Sequence, residues 1–378
     1  MKKDYYSLKI PGKTFISGEY LALNGGNSLI VSTKPGFQVF FVEKPSLNSN
    51  LDGQSLINQL CKIHGLNESF FDKNFLKNNQ SPAEIFYQKN LKKFHAWDIY
   101  FYDGYDKKGG FGASTAQFLA LFLFELLINN EFISVKNEMK NKLVSVAEGT
   151  SNQSNLDSDL LSNIDLKELL FQYWDCQNNA ESIRTEIESD LGKLFLLPSG
   201  NDLLAQKFPG FNFIGKDLSP NKFSELKIEQ QNAKWPFADL GFFLAWTGNK
   251  IPTHQHLKDL QSFQSTLLNQ IQHNIKESFS HGKQDDFIDN INLWFAELKK
   301  LNFVCDETLK LVEQSKKVPA IRAIKGCGAL GSDVLFVLYS KSEADSVKNW
   351  LNLNSLEITY SLEDVWQESV NFERYLWD

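Results

Sequence analysis

GYDKKGGFGASTAQ at residues 104–117 runs without a break into FLALFLFELLI at 118–128, and the pair reads as a glycine-rich loop feeding the start of a buried helix. Gly109, Gly110 and Gly112 permit positive φ and let an anion approach the main chain closely. Ser114 and Thr115 stand where hydroxyls cap a helix and can point outward. The first turn would then offer N–H groups without intrahelical acceptors, and the positive end of the helix dipole, to a phosphate. Residues 118–128 leave almost no polar face, so the helix belongs deep in a domain, where it holds the loop rigidly. A tight turn before a core helix would use the same residues. The rest of the chain has to decide between the two.

With 378 residues the chain exceeds one ordinary core and implies about two domains. Hydrophobic residues at 42% and charged residues at 22% fit a globular protein. A formal charge of −7 lacks the basic excess of a general nucleic-acid binder, so no nucleic-acid partner is expected. The four cysteines, Cys61, Cys176, Cys305 and Cys327, lie far apart without CxxC spacing, and the first residues lead into no apolar leader. The expectation is a cytoplasmic protein without a zinc cluster. The apolar run at 118–128 contains Glu125 and is far shorter than the roughly 20 residues of a membrane span, so no membrane role is expected. His254 and His256 are spaced i,i+2, which does not share a helix face, and are not read as metal ligands.

Residues 5–10 alternate as a strand, PGK at 11–13 interrupts it, and TFI at 14–16 resumes it. SGEY at 17–20 reads as a turn. With strands at 29–31 and 37–42, the first forty residues suggest a small mixed sheet. Residues 45–90 are polar and suggest short helices or an insertion. A strand at 97–102 delivers the chain to the glycine loop, and helices are expected at 135–147 and 166–174, around an exposed Ser/Asn/Asp-rich connection at 149–163. FLLPSGNDLLA at 195–205 passes from an apolar run to a turn and back, which places a carboxylate at a turn or helix start. After an expected strand at 237–246, Leu257, Leu260, Phe263, Leu267, Ile271 and Ile275 recur at helical steps. A second helix carries Phe287, Ile291, Trp294, Phe295 and Leu298. Two strands around a glycine turn within 321–339, a helix at 342–351 and an edge strand at 356–360 make the last third an α+β layer of helices over an antiparallel sheet. The domain boundary is expected between 210 and 235.

Four blocks now stand in order: PGKTFISGEY at 11–20, KGGFGASTA at 108–116, PSGNDLLAQ at 198–206 and KGCGALGSDVLFV at 325–337. Their order resembles the GHMP family of small-molecule kinases, named for galactokinase, homoserine, mevalonate and phosphomevalonate kinases. In that family an opening PGK…GE(H/Y) block, a GLGSSAA-like loop and a GAGGGG-like loop frame nucleotide and acceptor, with a catalytic aspartate in an SGxD-type block. The resemblance spans 11–337. Gly18-Glu19-Tyr20, where mevalonate kinases usually carry histidine, and Ala245-Trp246-Thr247-Gly248 with Thr253 are similar to the phosphomevalonate kinase branch. The chain departs from the pattern at Ala113, in place of the first loop serine, at Asp106, in place of proline, and at Cys327, Ala329 and Leu330, which align with Ala-Gly-Gly.

The resemblance implies an α+β, two-domain GHMP-kinase-like fold. A ribosomal-protein-S5-domain-2-like nucleotide domain would span 1–225, a ferredoxin-like α+β domain 226–378, and the active site would lie in the cleft between them. It implies ATP and Mg²⁺ as cofactors and an isoprenoid-precursor acceptor bearing a hydroxyl or phosphate, in a monomer or homodimer. Mevalonate kinase, a sugar or homoserine kinase, and a non-catalytic ligand-binding protein of the same fold are the alternatives. Lys108, Gly109, Gly110, Gly112, Ala113, Ser114 and Thr115 would hold the phosphates, with Ser114 also facing the metal. Asp202 is the candidate catalytic carboxylate and Lys13 its cationic partner. Glu19, Tyr20, Ser199, Gly200, Thr247, Gly248, Thr253, Gly326 and Gly328 would surround the acceptor. A second metal-facing carboxylate is expected among Glu181, Glu186, Glu188 and Asp190, between which spacing does not choose.

Overall fold

Lys3–Ser17 forms one strand, β1, although Pro11-Gly12-Lys13 reads as an interruption. The strand absorbs those residues by shifting register between Ile10 and Gly12 and again between Phe15 and Ser17. Gly12 makes this possible: its N–H donates to the Tyr105 hydroxyl at 2.9 Å, and a Cβ would fall 2.1 Å from that oxygen. The computed structural model describes residues 3–44, 53–72, 75–77, 81–142, 164–176, 198–217, 225–248 and 266–377. After β1 come β2 (Ser28–Glu43), α1 (Gly53–His64), β3 (Phe71–Asp72), α2 (Pro82–Lys89), α3 (Leu91–Phe94), β4 (Trp97–Asp103), α4 (Ala113–Lys142), α5 (Leu166–Asp175) and α6 (Asn201–Gln206). They are followed by β5 (Phe211–Asp217), β6 (Lys227–Ala233), β7 (Leu240–Trp246), α7 (Thr266–Ser280), α8 (Gln284–Lys300) and α9 (Asp306–Ser315). The chain closes with β8 (Ile321–Cys327), β9 (Val334–Ser340), α10 (Ala344–Leu353), β10 (Glu357–Ser361) and β11 (Phe372–Trp377).

The strands build two sheets. One runs β11-β1-β2-β4-β3, with β5 on the first part of β2 and β6 on β5; the other runs β10-β7-β9-β8. The stretches at 29–31 and 37–42 are one strand, whose residues 28–31 pair with β5 and 37–43 with β4. Every pairing in the first sheet is antiparallel, so it is not the mixed sheet its opening residues suggest. β7 to β10 with α8 to α10 form the expected layer of helices over antiparallel strands, β10 lying at the edge. β11 instead returns to the first sheet and pairs with β1 from Lys3 to Leu8.

α4 continues through Lys142 and takes in the start of the helix expected at 135–147. Its first four turns are buried on nearly all sides, through Phe118, Leu119, Leu121, Phe122, Leu123, Phe124 and Leu127. Each large side chain withdrawn from water contributes about 1.5–3 kcal/mol, so this segment is a rigid post for the loop before it. Glu125, the charge within that run, is buried too, but pairs with Lys93 and accepts from Asn129 Nδ2 at 2.6 Å. Of the helix read from Leu257 onward, the part from Thr266 lies within the described residues. The connection at 149–163 and the histidines at 254 and 256 lie outside them. Among the described residues no helix is long and apolar enough to cross a membrane.

Candidate active site

The glycine loop is fastened at both ends. Tyr105 is fully buried; its hydroxyl accepts from Gly12 and Gly36 N–H and donates to the Thr33 carbonyl at 2.7 Å, while its ring stacks on Phe111 at 4.6 Å. Burial holds the phenol above its ordinary range, against the opposing pull of the hydrogen bonds from Thr33, Gly36 and Gly12. The Phe111 carbonyl accepts from Lys13 N–H at 2.9 Å, which ties the loop to β1. Gly112, at φ +88°, lets the Lys13 chain lie across it: a Cβ there would meet Lys13 Cε at 2.9 Å and Gln206 Nε2 at 3.1 Å. At the start of α4 the two hydroxyls diverge. Ser114 is exposed, whereas Thr115 turns inward, a correction to the expected outward pair. Its hydroxyl contacts the Gly112 carbonyl and Gln206 Oε1 at 2.5 Å. Gln206 in turn donates to the carbonyls of Pro11 and Gly112 at 2.9 and 3.1 Å, joining β1, the loop and α6 in one knot.

Asp202 stands in the first turn of α6 behind Gly200, whose φ of +71° makes the sharp entry. Its Oδ1 accepts from Leu203 N–H at 3.0 Å, and its Oδ2 lies 3.8 Å from Lys13 Nζ. The side chains are 14% and 23% exposed, which keeps both accessible to a small molecule. The turn before Asp202 is fixed from three sides. Trp174 Nε1 holds the Pro198 carbonyl, Asn201 N–H reaches Ser199 Oγ, and Asn201 Nδ2 donates to Ser28 Oγ at 2.8 Å. Lys216, reaching from β5, donates to the Ser199 carbonyl at 2.5 Å and to Asn201 Oδ1.

Burial pulls the Lys216 ammonium down to about 7, with the Asp202 charge opposing the shift. Because the folded value lies below the unfolded one, the unfolded chain binds the extra proton between about pH 7 and 10.4, so the contribution to stability rises with pH in that window, by up to about 1.4 kcal/mol per unit. Urea unfolding should therefore show the advantage of the native chain over Lys216→Met growing above neutrality. A pH-independent difference would contradict the burial of an ionisable Lys216.

Across the loop, Glu19 and Tyr20 hold the turn between β8 and β9. Lys325, 0% exposed, donates to the Ile16 carbonyl at 2.8 Å and to Glu19 Oε1 at 2.9 Å. Tyr20 stacks on Phe303, and its hydroxyl accepts from Leu330 N–H at 3.2 Å. Gly326 lies so close to Gly331 that a Cβ would fall 1.9 Å from its carbonyl oxygen, and Gly328 adopts φ +82° beside Asp333. Leu330 stands at φ +52°, where the aligned family residue is glycine. Thr247 bonds the carbonyls of Ser332 and Asp333 from the end of β7, and Gly248 follows at φ +80°. Gly110 packs against Asp333 and Val334, and Lys108 pairs with Glu357 at 2.5 Å, so the loop touches both sheets. Thr253 and the four acidic candidates at 181–190 lie outside the described residues.

Lys13 thus lies across Gly112 and reaches toward Asp202, with Ser199 and Gly200 in the turn before it and Ser114 exposed in the first turn of α4. Gly110 meets Asp333 in the β8–β9 turn, which holds Gly326 and Gly328 and is braced by Glu19, Tyr20 and Thr247. Lys108 is drawn toward Glu357 instead. A triphosphate with Mg²⁺ is compatible with the donor set. The first N–H groups of α4 have no intrahelical acceptor, Lys13 adds a cation, and exposed Ser114 offers an oxygen. Among the described residues no cluster of three or more His, Cys, Asp or Glu could hold a metal. Mg²⁺ needs none, because it keeps waters and takes phosphate oxygens with one or two protein ligands.

No protein-family model matches the chain, and no curated protein matches it in sequence. Solved structures do. Streptococcus pneumoniae phosphomevalonate kinase in complex with phosphomevalonate and AMPPNP superposes with a TM-score of 0.55 at 14% identity, over 94% of this chain and 98% of that one. Methanococcus jannaschii mevalonate kinase gives 0.54 at 11%, over 96% and 98%. Lactococcus lactis galactokinase complexed with galactose gives 0.54 at 13%, over 99% and 92%. The chain has the fold of the GHMP kinases, an α+β architecture matched over nearly its whole length.

Proposed function

We propose that the protein is an ATP-dependent, Mg²⁺-assisted small-molecule kinase of the GHMP type, acting in the cytoplasm on an acceptor similar to phosphomevalonate. The observation that carries this is the approach of Lys13 Nζ to Asp202 Oδ2, 3.8 Å, near the N-terminus of a long helix whose first turns are buried and which is entered through a glycine loop. Phosphoryl transfer needs little covalent help and much positioning. The loop and Ser114 hold the phosphates, Lys13 neutralises charge developing on the transferred group, and Asp202 takes or orients the acceptor proton. Mg²⁺, held through Ser114, would offset the charge of the phosphates. A phosphomonoester acceptor, with a second pKa of about 6, is already mostly ionised at neutral pH, and Asp202 then chiefly orients it. With the domains divided at residues 225 and 226, residues 1–225 would bind the nucleotide and residues 226–378 would bring Thr247, Gly326 and Gly328 to the closing frame, while β6 and β11 complete the first sheet.

The acceptor rests on Tyr20 after Glu19 and on the WTG segment at 246–248. Phosphomevalonate, mevalonate and galactose kinases superpose almost equally well, so the fold itself does not choose among them. Purified protein given Mg·ATP with phosphomevalonate, mevalonate, galactose or homoserine should release ADP with phosphomevalonate. Turnover with mevalonate alone would transfer the assignment to mevalonate kinase. A second reading, a ligand-binding protein without transfer, is favoured by the closed turn at 326–331, where Leu330 replaces bare backbone and is held by Tyr20. It requires ligand binding without ADP release from any acceptor.

A further inference from the structure

We propose that Gln206 is a positioning residue that sets Lys13 against Asp202, a role in phosphoryl transfer that rests on the kinase reading of the site. Asp202 and Gln206 stand at i and i+4 on α6, so they share a face of that helix. The carboxylate approaches Lys13 and is 23% exposed, whereas Gln206 is 0% exposed and reaches no substrate. Both amide hydrogens have acceptors. Nε2 donates to the Pro11 carbonyl at 2.9 Å and to the Gly112 carbonyl at 3.1 Å, and Oε1 accepts from the Thr115 hydroxyl at 2.5 Å. Two carbonyls and a hydroxyl around one side chain call for two donors and one acceptor, which settles the orientation of the amide. A glutamate here would turn an oxygen on two carbonyls, and an apolar side chain would leave both without a donor.

The three partners lie on the segments around Lys13. Pro11 precedes it by two residues in β1. Gly112 is the residue its stem crosses: a Cβ there would meet Lys13 Cε at 2.9 Å, Lys13 Cγ at 3.0 Å and Gln206 Nε2 at 3.1 Å. Thr115 stands in the first turn of α4, and the Phe111 carbonyl, just before Gly112, accepts from Lys13 N–H at 2.9 Å. A lysine ammonium ends a flexible four-carbon stem, so its place depends on what confines the stem. Gln206 ties β1, the loop and the start of α4 to the helix that bears Asp202. Without it α6 and β1 lose a three-point tie beside the reacting pair, and a displacement of about 1 Å there costs about 10² in rate.

Kinetics of Gln206→Met, which keeps the volume without the amide, alone and combined with Lys13→Met, test this. Gln206→Met should lower kcat about 10–10²-fold, with KM for ATP and acceptor within about threefold. In the Lys13→Met background the same change should cost about threefold or less, because the group it positions is gone. An equal loss in both backgrounds, which a merely structural role would give, overturns the inference, and so does an unchanged kcat. A ligand-free crystal structure of Gln206→Met reads the geometry without turnover. Lys13 Nζ and Asp202 Oδ2, 3.8 Å apart in the native chain, should separate by about a further 1 Å or more, and an unchanged distance overturns the inference. If the native chain releases no ADP with any acceptor, the kinase reading fails and this distance alone decides whether Gln206 sets the pair. If Gln206→Met does not fold, Thr115→Val, which removes one of the three bonds and keeps the volume, takes its place in the cycle. Its loss of about two- to tenfold in kcat should vanish in Lys13→Met, and a loss that persists there overturns the inference.

Discussion

Replacing Asp202 by Asn is expected to lower kcat by about 10²–10⁴-fold with a hydroxyl acceptor, the range that a positioned general base contributes. With a phosphomonoester acceptor the loss should be smaller, because the nucleophile arrives ionised and only orientation is forfeited. Nucleotide affinity should stay within about twofold, since the carboxylate faces Lys13 and not the loop's donors. Stability should change by less than about 1 kcal/mol, because Asp202 is partly exposed and its one bonded N–H belongs to the adjacent Leu203. Lys13→Met should cost about 10²–10³ in kcat through lost charge stabilisation. Steady-state kinetics and calorimetry on both variants check this. Turnover unchanged in Asp202→Asn would remove that residue from the mechanism.

Lys325→Met is expected to destabilise the fold by about 3–5 kcal/mol, as when one member of a buried ion pair is removed and the other is stranded. Glu19 would then be a carboxylate 9% exposed with its counter-ion gone, and the Ile16 carbonyl would lose its donor. The bond runs from β8 back to the end of β1, so the loss falls where the turn at 326–331 meets the Glu19 segment. Adding Glu19→Gln to Lys325→Met should recover much of the loss, because no charge is left buried. Urea unfolding of the four combinations measures it. A loss under about 1 kcal/mol in Lys325→Met, the size of a surface pair, would mean the bridge is not buried in solution.

Short-range signals carried most of the fold. The loop and α4 were legible because glycine, hydroxyl and apolar residues lie consecutively, and the structure uses them nearly in that order. Lys13 and Asp202 became a pair through the resemblance of their blocks, since nothing local connects two residues so far apart in the chain. Gln206, Tyr105, Lys216 and Lys325 were missed. Each has an unremarkable sequence neighbourhood, and its role consists of bonds to distant segments: Gln206 to Pro11, Tyr105 to Gly12 and Thr33, Lys325 to Glu19. A lysine preceding a glycine turn suggests solvent; only packing against β1 reveals a buried one. β6 and β11 escaped for another reason. β6 is charged or amide at most positions, and in β11 the charged Glu373 and Arg374 stand together ahead of Tyr375, Leu376 and Trp377, so neither shows the apolar alternation that marks a half-buried strand.

A crystal structure with Mg·AMPPNP will show whether the loop, Lys13 and Asp202 make one phosphoryl-transfer site. The triphosphate is expected at the N-terminus of α4, over residues 109–115, with its terminal phosphorus facing Lys13 and Asp202 and the metal beside Ser114. An empty loop with the turn at 326–331 closed against it, or a nucleotide bound away from α4, would contradict it.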